Sequence, residues 1–260
     1  MSPICTEQHW IDTPDGQLFA QSWNPGQGQS APIVLLHDSL GCVALWRDFP
    51  ERLAQAIGRT VIAYDRLGFG RSAAYPGLLP VTFVEDEAKG SFERVCQHFN
   101  LSEFAVFGHS VGAGMAIGCA AAHPQRCQAV ITESAQTFVE AVTLEGIRQA
   151  ERDFAEPGQM QRLHKYHAQK ADWVFHAWVD TWLSEAFADW NLDAQLSRVH
   201  CPVLALHGDR DEFGSPLHLE RMNAHVSAPI SLQVVPDCGH VPHREYPDAV
   251  LAKVCAFLQS

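Results

Sequence analysis

The chain has 260 residues, 47% hydrophobic and 18% charged. That is ordinary for one globular domain with a sizeable core, and it excludes disorder, collagen and coiled coil. Thirty Asp and Glu against 18 Lys and Arg give a formal charge of -12, which repels phosphate backbones and anionic lipid. Nucleic-acid and membrane partners are therefore set aside, and the expected partner is a small-molecule substrate; the sequence is silent on oligomeric state.

Met1 to Trp10 shows no basic segment followed by an apolar run, so no secretory signal is read and a cytoplasmic location is expected. The longest apolar stretch, Gly112 to Ala122, is far short of a membrane span. Eight cysteines are scattered without a CxxC pair and read as free, mostly buried thiols in a reducing compartment.

In chain order, Gln8–Asp12 and Gln17–Trp23 flank Thr13-Pro14-Asp15-Gly16, a hairpin with Pro and Gly at favoured turn positions. Asn24 to Ser30 reads as a surface loop. Ile33–His37 is a continuously apolar run, as expected of a strand buried on both faces. Trp46–Ile57 has helical spacing, Thr60–Tyr64 is strand-like, and Phe83–Phe99 is expected to be one helix. Phe104–Phe107 is a strand, Val111–Ala122 a helix of small residues, and Ala129–Thr132 a strand. Strand Val203–Leu206, helix Pro216–His225, strand Ile230–Val235 and helix Pro247–Leu258 close the chain. This alternation implies a mostly parallel sheet with helices on both faces.

One segment interrupts the alternation. Phe138 to Arg198 lacks strand signals, and Phe175, Trp178, Val179, Trp182, Leu183, Ala186, Phe187 and Trp190 fall at one-helical-face spacing. The segment is expected to be a helical insertion over a sheet domain, with the core formed by 1–137 and 199–260 and the insertion by 138–198.

Gly108-His109-Ser110-Val111-Gly112 lies between a buried strand and a small-residue helix. This G-x-S-x-G pattern places a serine on a sharp strand-to-helix turn, with small flanking residues where backbones approach closely. Serine is a weak nucleophile without a base. Of 14 histidines, His240 follows the last strand in Asp237-Cys238-Gly239-His240, at the sheet edge where open α/β sheets gather their sites. His243 is its nearest rival, and His207 reads as a core or loop histidine. The group that orients the imidazole is assigned to Asp211, with Asp209 and Glu133 as alternatives. The order Ser110, Asp211, His240 has each residue following a strand. Oxyanion donors are expected from the N–H of Val111 and from the loop His37-Asp38-Ser39-Leu40-Gly41, where Ser39 is the first choice and Leu40 the alternative. His109, Leu40, Trp178 and Trp182 are candidate substrate contacts. The spacing of His164, His167 and His176 is too sparse for a metal site, so neither metal nor cofactor is expected.

These pieces, with Tyr64-Asp65-Arg66-Leu67-Gly68-Phe69-Gly70-Arg71-Ser72 and Gly208-Asp209-Arg210-Asp211, make the chain resemble the α/β-hydrolase superfamily over essentially its full length. The resemblance lies closest to the capped branch, with its proline iminopeptidases, C–C-bond hydrolases and small esterases. It implies an eight-stranded, mostly parallel α/β-hydrolase sheet with a helical cap at 138–198. It implies a serine hydrolase acting on a small carboxylic ester through an acyl-enzyme. C–C-bond cleavage of diketones, a lyase or cofactor-free peroxidase reaction, and a non-catalytic receptor are the other readings. Asp-x-x-Gly-x-Gly-x-Ser resembles the family's structural loop rather than a dinucleotide fingerprint, since the third Gly is missing. One departure is Asp38, where the family usually has Gly after the His, and it bears on the shape of the oxyanion loop.

Overall fold

The computed structural model describes residues 3–26 and 30–259. Of the expected surface loop from Asn24 to Ser30, residues 27–29 lie outside the described residues. Strands β1 (Cys5–Thr13), β2 (Gly16–Asn24), β3 (Ile33–Leu36), β4 (Val61–Tyr64), β5 (Phe104–His109), β6 (Cys127–Glu133), β7 (Val203–Gly208) and β8 (Ile230–Val235) form one sheet in the order β1-β2-β4-β3-β5-β6-β7-β8. From β4 to β8 in that order all neighbours are parallel, while β2 is antiparallel to β4 and β1 antiparallel to β2.

The continuous apolar runs have a simple cause. Side chains alternate across a strand, and both faces of the central strands are covered. Val34, Leu36 and Val106 pack into one core, Ile33, Leu35 and Phe107 into the other. Helices α1 (Phe49–Ile57) and α11 (Pro247–Gln259) supply the second core. The first core receives α2 (Phe83–Asp86), α3 (Ser91–His98), α4 (Val111–Ala122) and α9 (Leu217–His225). Helix α4 is buried from Val111 to Ala121. Its Gly and Ala residues let it lie close on the sheet from every side, which explains a helix with no polar face.

Two expected helices are divided. Trp46 belongs to a separate turn of 3-10 helix, Val43–Trp46, and α1 begins only at Phe49, because Arg47 takes a positive φ of 55°. Phe83–Phe99 is not one helix but two, α2 and α3, broken where Gly90 adopts φ -92°, ψ -114°. Glycine carries no side chain to resist that conformation.

Between β6 and β7 the chain inserts α5 (Ala141–Phe154), α6 (Met160–His167), α7 (Ala171–Trp182) and α8 (Asp193–Leu196). A short antiparallel bridge, Phe138 to Asn191, draws the two ends of this excursion together. The aromatic face read through Trp190 is not one helix: α7 stops at Trp182, and Ser184 is extended, with ψ 147°, before a turn at Glu185–Phe187. Phe187 and Trp190 fold back so that their rings lie 5.1 and 5.6 Å from that of Trp182. The insertion is seated on the loop after β4. A Cβ at Gly68 would lie 2.4 Å from the Trp173 ring of α7, and Gly68 has φ +90°. His167, fully buried at the end of α6, accepts from the Gly70 N–H at 2.9 Å and donates to the Leu40 carbonyl at 3.0 Å.

All eight cysteines are unpaired, six of them buried. Among the described residues no helix is long and apolar enough to cross a membrane. The last strand, β8, is followed by α10 (Pro242–Glu245) and then α11, which packs on the sheet.

Gly68→Ala is expected to cost about 1–3 kcal/mol through overpacking against Trp173, read as a lower urea midpoint. Limited proteolysis should then open the 141–182 region first. A variant as stable and protease-resistant as the parent would show that Gly68 does not set the docking of α7.

Candidate active site

Parallel strands place their C-terminal ends on one edge of the sheet, where loops converge. Registers His109 to Glu133, Glu133 to Leu206 and Gly208 to Val235 bring the ends of β5, β6, β7 and β8 to that edge. Ser110 follows β5, Asp211 follows β7 and His240 follows β8.

Ser110 has φ 57° and ψ -124°, a conformation that L residues rarely adopt. Strain of this kind, of order 1–3 kcal/mol, persists only where the surroundings enforce it. They do so here: a Cβ at Gly108 would stand 2.1 Å from the Gly112 carbonyl, and one at Gly112 would stand 2.2 Å from the Leu36 carbonyl. The Ser110 N–H donates to the Glu133 carbonyl at 2.9 Å, fixing the turn to β6. Among the described residues Ser110 Oγ makes no hydrogen bond; bonds of this kind are often loose before a substrate is bound.

His240 Nδ1 lies 2.8 and 2.9 Å from the two oxygens of Asp211. Asp211 is an acceptor, so Nδ1 carries the proton and Nε2 is left with its lone pair. Asp211 Oδ1 also accepts from the Phe213 N–H at 2.8 Å, and the carboxylate is fully buried. Burial alone would raise its pKa, but the hydrogen bond and charge of His240 outweigh that and hold it below its ordinary 3.8. The Phe213 ring packs 4.9 Å from the His240 ring.

The alternatives fall elsewhere. Glu133 is paired with His243 at 2.6 Å, both buried, so each has the other as partner. Asp209 is exposed. His207 donates to the Gly214 carbonyl at 3.0 Å. Burial lowers the pKa of His207 and of His243, which favours their neutral forms.

Ser39, Val111, Trp178 and Trp182 line one cleft of about 10 Å³, room for about one water. Val111 opens α4, so its N–H has no acceptor within the helix. Leu40 differs: its N–H donates to Asp38 Oδ1 at 2.8 Å and is already committed, while the Gly41 N–H donates to the Asp38 carbonyl at 3.2 Å. Ser39 has no hydrogen-bond partner for its N–H among the described residues.

His109, read as a substrate contact, does not line this cleft, and its ring packs 5.1 Å from that of His240. Its ring is buried behind the turn, 5.1 Å from that of His243 and 6.5 Å from that of Trp46. It has two partners there: Asp38 Oδ2 at 3.3 Å and the His240 carbonyl at 2.8 Å. Burial would lower the His109 pKa, but the Asp38 hydrogen bond and charge raise it above 6.5. Conversely, burial would raise Asp38, and the bond to His109 holds it far below its ordinary value. Asp38 thus ties the turn of Ser39 and Leu40 to the residue before Ser110 and, through His109, to the loop of His240. The departure at position 38 was the only sequence signal for this link.

Among the described residues no group of three or more His, Cys, Asp or Glu side chains is placed to hold a metal ion.

The family model for the alpha/beta hydrolase fold matches residues 31–174, more than half of the chain. The human serine hydrolase BPHL is 26% identical over 244 residues, covering 90% of this chain and 81% of that protein. A proline iminopeptidase of Lactobacillus helveticus is 30% identical over 109 residues, covering 42% of this chain and 37% of that protein. Among solved structures, the 2-hydroxy-6-oxo-6-phenylhexa-2,4-dienoate hydrolase of Rhodococcus superposes with TM-score 0.83 at 17% identity, covering 99% of this chain and 100% of that one. Naproxen esterase of Bacillus subtilis superposes with TM-score 0.74 at 18% identity, covering 99% of this chain and 93% of that one.

Asp38→Ala leaves the Leu40 N–H and the His109 Nδ1 without their carboxylate partner. A loss of about 1–3 kcal/mol per unsatisfied buried group is expected, seen in urea unfolding. The His109 imidazole should titrate at lower pH, followed by its ring-proton chemical shifts. An unmoved His109 titration would separate the two residues.

Proposed function

The chain belongs to the α/β-hydrolase fold family, and on that premise we propose that it is a serine hydrolase cleaving a small carboxylic ester through an acyl-enzyme. The observation that carries this reading is the Asp211–His240 pair, at 2.8 and 2.9 Å, on the same sheet edge as the strained Ser110 turn. Its curated relatives include a named serine hydrolase and a proline iminopeptidase, which supports hydrolysis in general.

In this mechanism Ser110 Oγ attacks the carbonyl carbon while His240 Nε2 takes its proton. Asp211 keeps the proton on Nδ1 and stabilises the imidazolium that forms. The N–H groups of Val111 and Ser39 receive the oxyanion. The tetrahedral intermediate collapses, the alkoxide leaves with the proton from His240, and the acyl group stays on Ser110. His240 then takes a proton from water, whose oxygen attacks the acyl carbon, and Ser110 is restored. Trp178 and Trp182 close the cleft from the insertion, which favours an apolar part of the substrate beside the reacting carbon. No cofactor enters any step.

Ser110→Ala should abolish ester turnover and labelling by a fluorophosphonate while the fold persists by circular dichroism; retained turnover removes Ser110 as nucleophile. Asp211→Asn should lower kcat about 10⁴-fold, as for the same change in other triads, and a rate within tenfold of the parent would rule Asp211 out. Asp211 stays ionised well below neutrality because its pKa is held under 3.8. Asp211 should therefore add nothing to the acid limb of the pH–rate profile near neutrality, leaving a slope of one in log rate. A slope of two would contradict this assignment.

A further inference from the structure

Beside the narrow cleft lies a second cavity of about 330 Å³, between the β1–β2 turn, the loop after β4 and helices α2 and α3. Arg66, Phe69, Leu79 and Phe83 line both spaces and form the wall between them. The volume is at the lower end of the range for small-ligand sites.

Arg66 is only 3% exposed. Its Nη2 donates to the Asp38 carbonyl at 2.9 Å, its backbone N–H donates to His37 Nε2 at 3.2 Å, and its guanidinium stacks on Phe69 at 4.1 Å. Yet no carboxylate forms an ion pair with it among the described residues, and its buried Nε has no hydrogen-bond partner. Glu87, the inner carboxyl of the larger cavity, is engaged by the Tyr64 hydroxyl at 2.5 Å. Burial raises the pKa of Glu87, and the nearby charge of Arg66 opposes that rise without an ion-pair contact between them. Two cations, Lys89 and Arg94, and two carboxylates, Asp15 and Asp86, also line this cavity.

A buried guanidinium without an ion-pair partner is costly, and such groups are retained where something completes them. Arginine presents a planar fork matched to a carboxylate. Leu79, Phe83 and Met115 give part of the wall an apolar surface, amid polar and charged residues. A ligand suited to this space has an apolar run ending in a carboxylate.

Resting on the serine-hydrolase reading above, we propose that Arg66 is a specificity-determining residue that binds a carboxylate on the substrate, so that the enzyme acts on half-esters of dicarboxylic acids. The carboxylate occupies the free side of the guanidinium, and the apolar run passes the Phe69–Phe83 wall to the carbonyl at Ser110. No bond is made or broken at Arg66; it acts by binding alone.

The test compares monomethyl esters of dicarboxylic acids of increasing length with the matching methyl esters ending in a primary amide, by proton release at constant pH. The best acid should exceed its amide at least tenfold in kcat/KM. In Arg66→Gln that ratio should fall at least tenfold, and in Arg66→Lys it should fall less. A second arm uses esters of short hydroxy acids and places the carboxylate on the alcohol side; preference for these instead would overturn the half-ester assignment. Equal rates for acid and amide in the parent enzyme would overturn the proposal even if no Arg66 variant folds. So would an acid-to-amide ratio that survives Arg66→Gln. Failure of the underlying reading is separately visible, as no fluorophosphonate label on Ser110 and no turnover of any ester. In that case glutarate should still raise the Tm of the parent protein and not that of Arg66→Gln; no shift in the parent would end the carboxylate site as well.

Discussion

The backbone at Ser110 is the constraint on which the rest of the site depends. A residue with φ 57° and ψ -124° turns β5 sharply into α4. It survives because three backbones converge there: Gly108 against Gly112, and Gly112 against the end of β3. With side chains at either glycine the turn would open, and the hydroxyl would leave the sheet edge. The same convergence presents the first N–H of α4 to the cleft. The positions of the proposed nucleophile and of one proposed anion donor are therefore a single geometric fact.

Around that turn the buried charges are arranged as pairs. Asp211 serves His240, Glu133 serves His243, and Asp38 serves His109. Buried carboxylates and imidazoles are tolerated because each is bonded within its pair. The pairs are not interchangeable, since each lies on its own strand end. Of the three imidazoles, the one paired with Asp211 is the base proposed for Ser110, and the His109 ring packs 5.1 Å from it.

Much of this could be read from the sequence, for a physical reason. Strands buried on both faces announce themselves as apolar runs, and the residues just after them must lie on one edge. That Ser110, Asp211 and His240 follow strand ends was legible by that rule. The hidden parts depend on direction rather than order. Nothing local shows that the His109 ring points behind the turn, or that the Leu40 N–H is taken by Asp38. The helix breaks at Gly90 and Ser184 were masked by apolar spacing that continues across them. Arg66 sits inside a loop whose neighbours have structural roles: Asp65 accepts from Val43 and Arg71, and Ser72 donates to the Asp65 carbonyl. Its missing ion-pair partner could be seen only once the chain was folded.

His167 joins three parts of the molecule with one ring. It ends a helix of the insertion, takes a proton bond from the Gly70 amide and gives one to the Leu40 carbonyl. A cleft that holds about one water must widen before any ester can enter. If the insertion tilts away to do so, both bonds break together, and the segment carrying Ser39 is held only through Asp38. Room for a substrate and the placing of the proposed anion-receiving groups would then be mechanically linked through one imidazole.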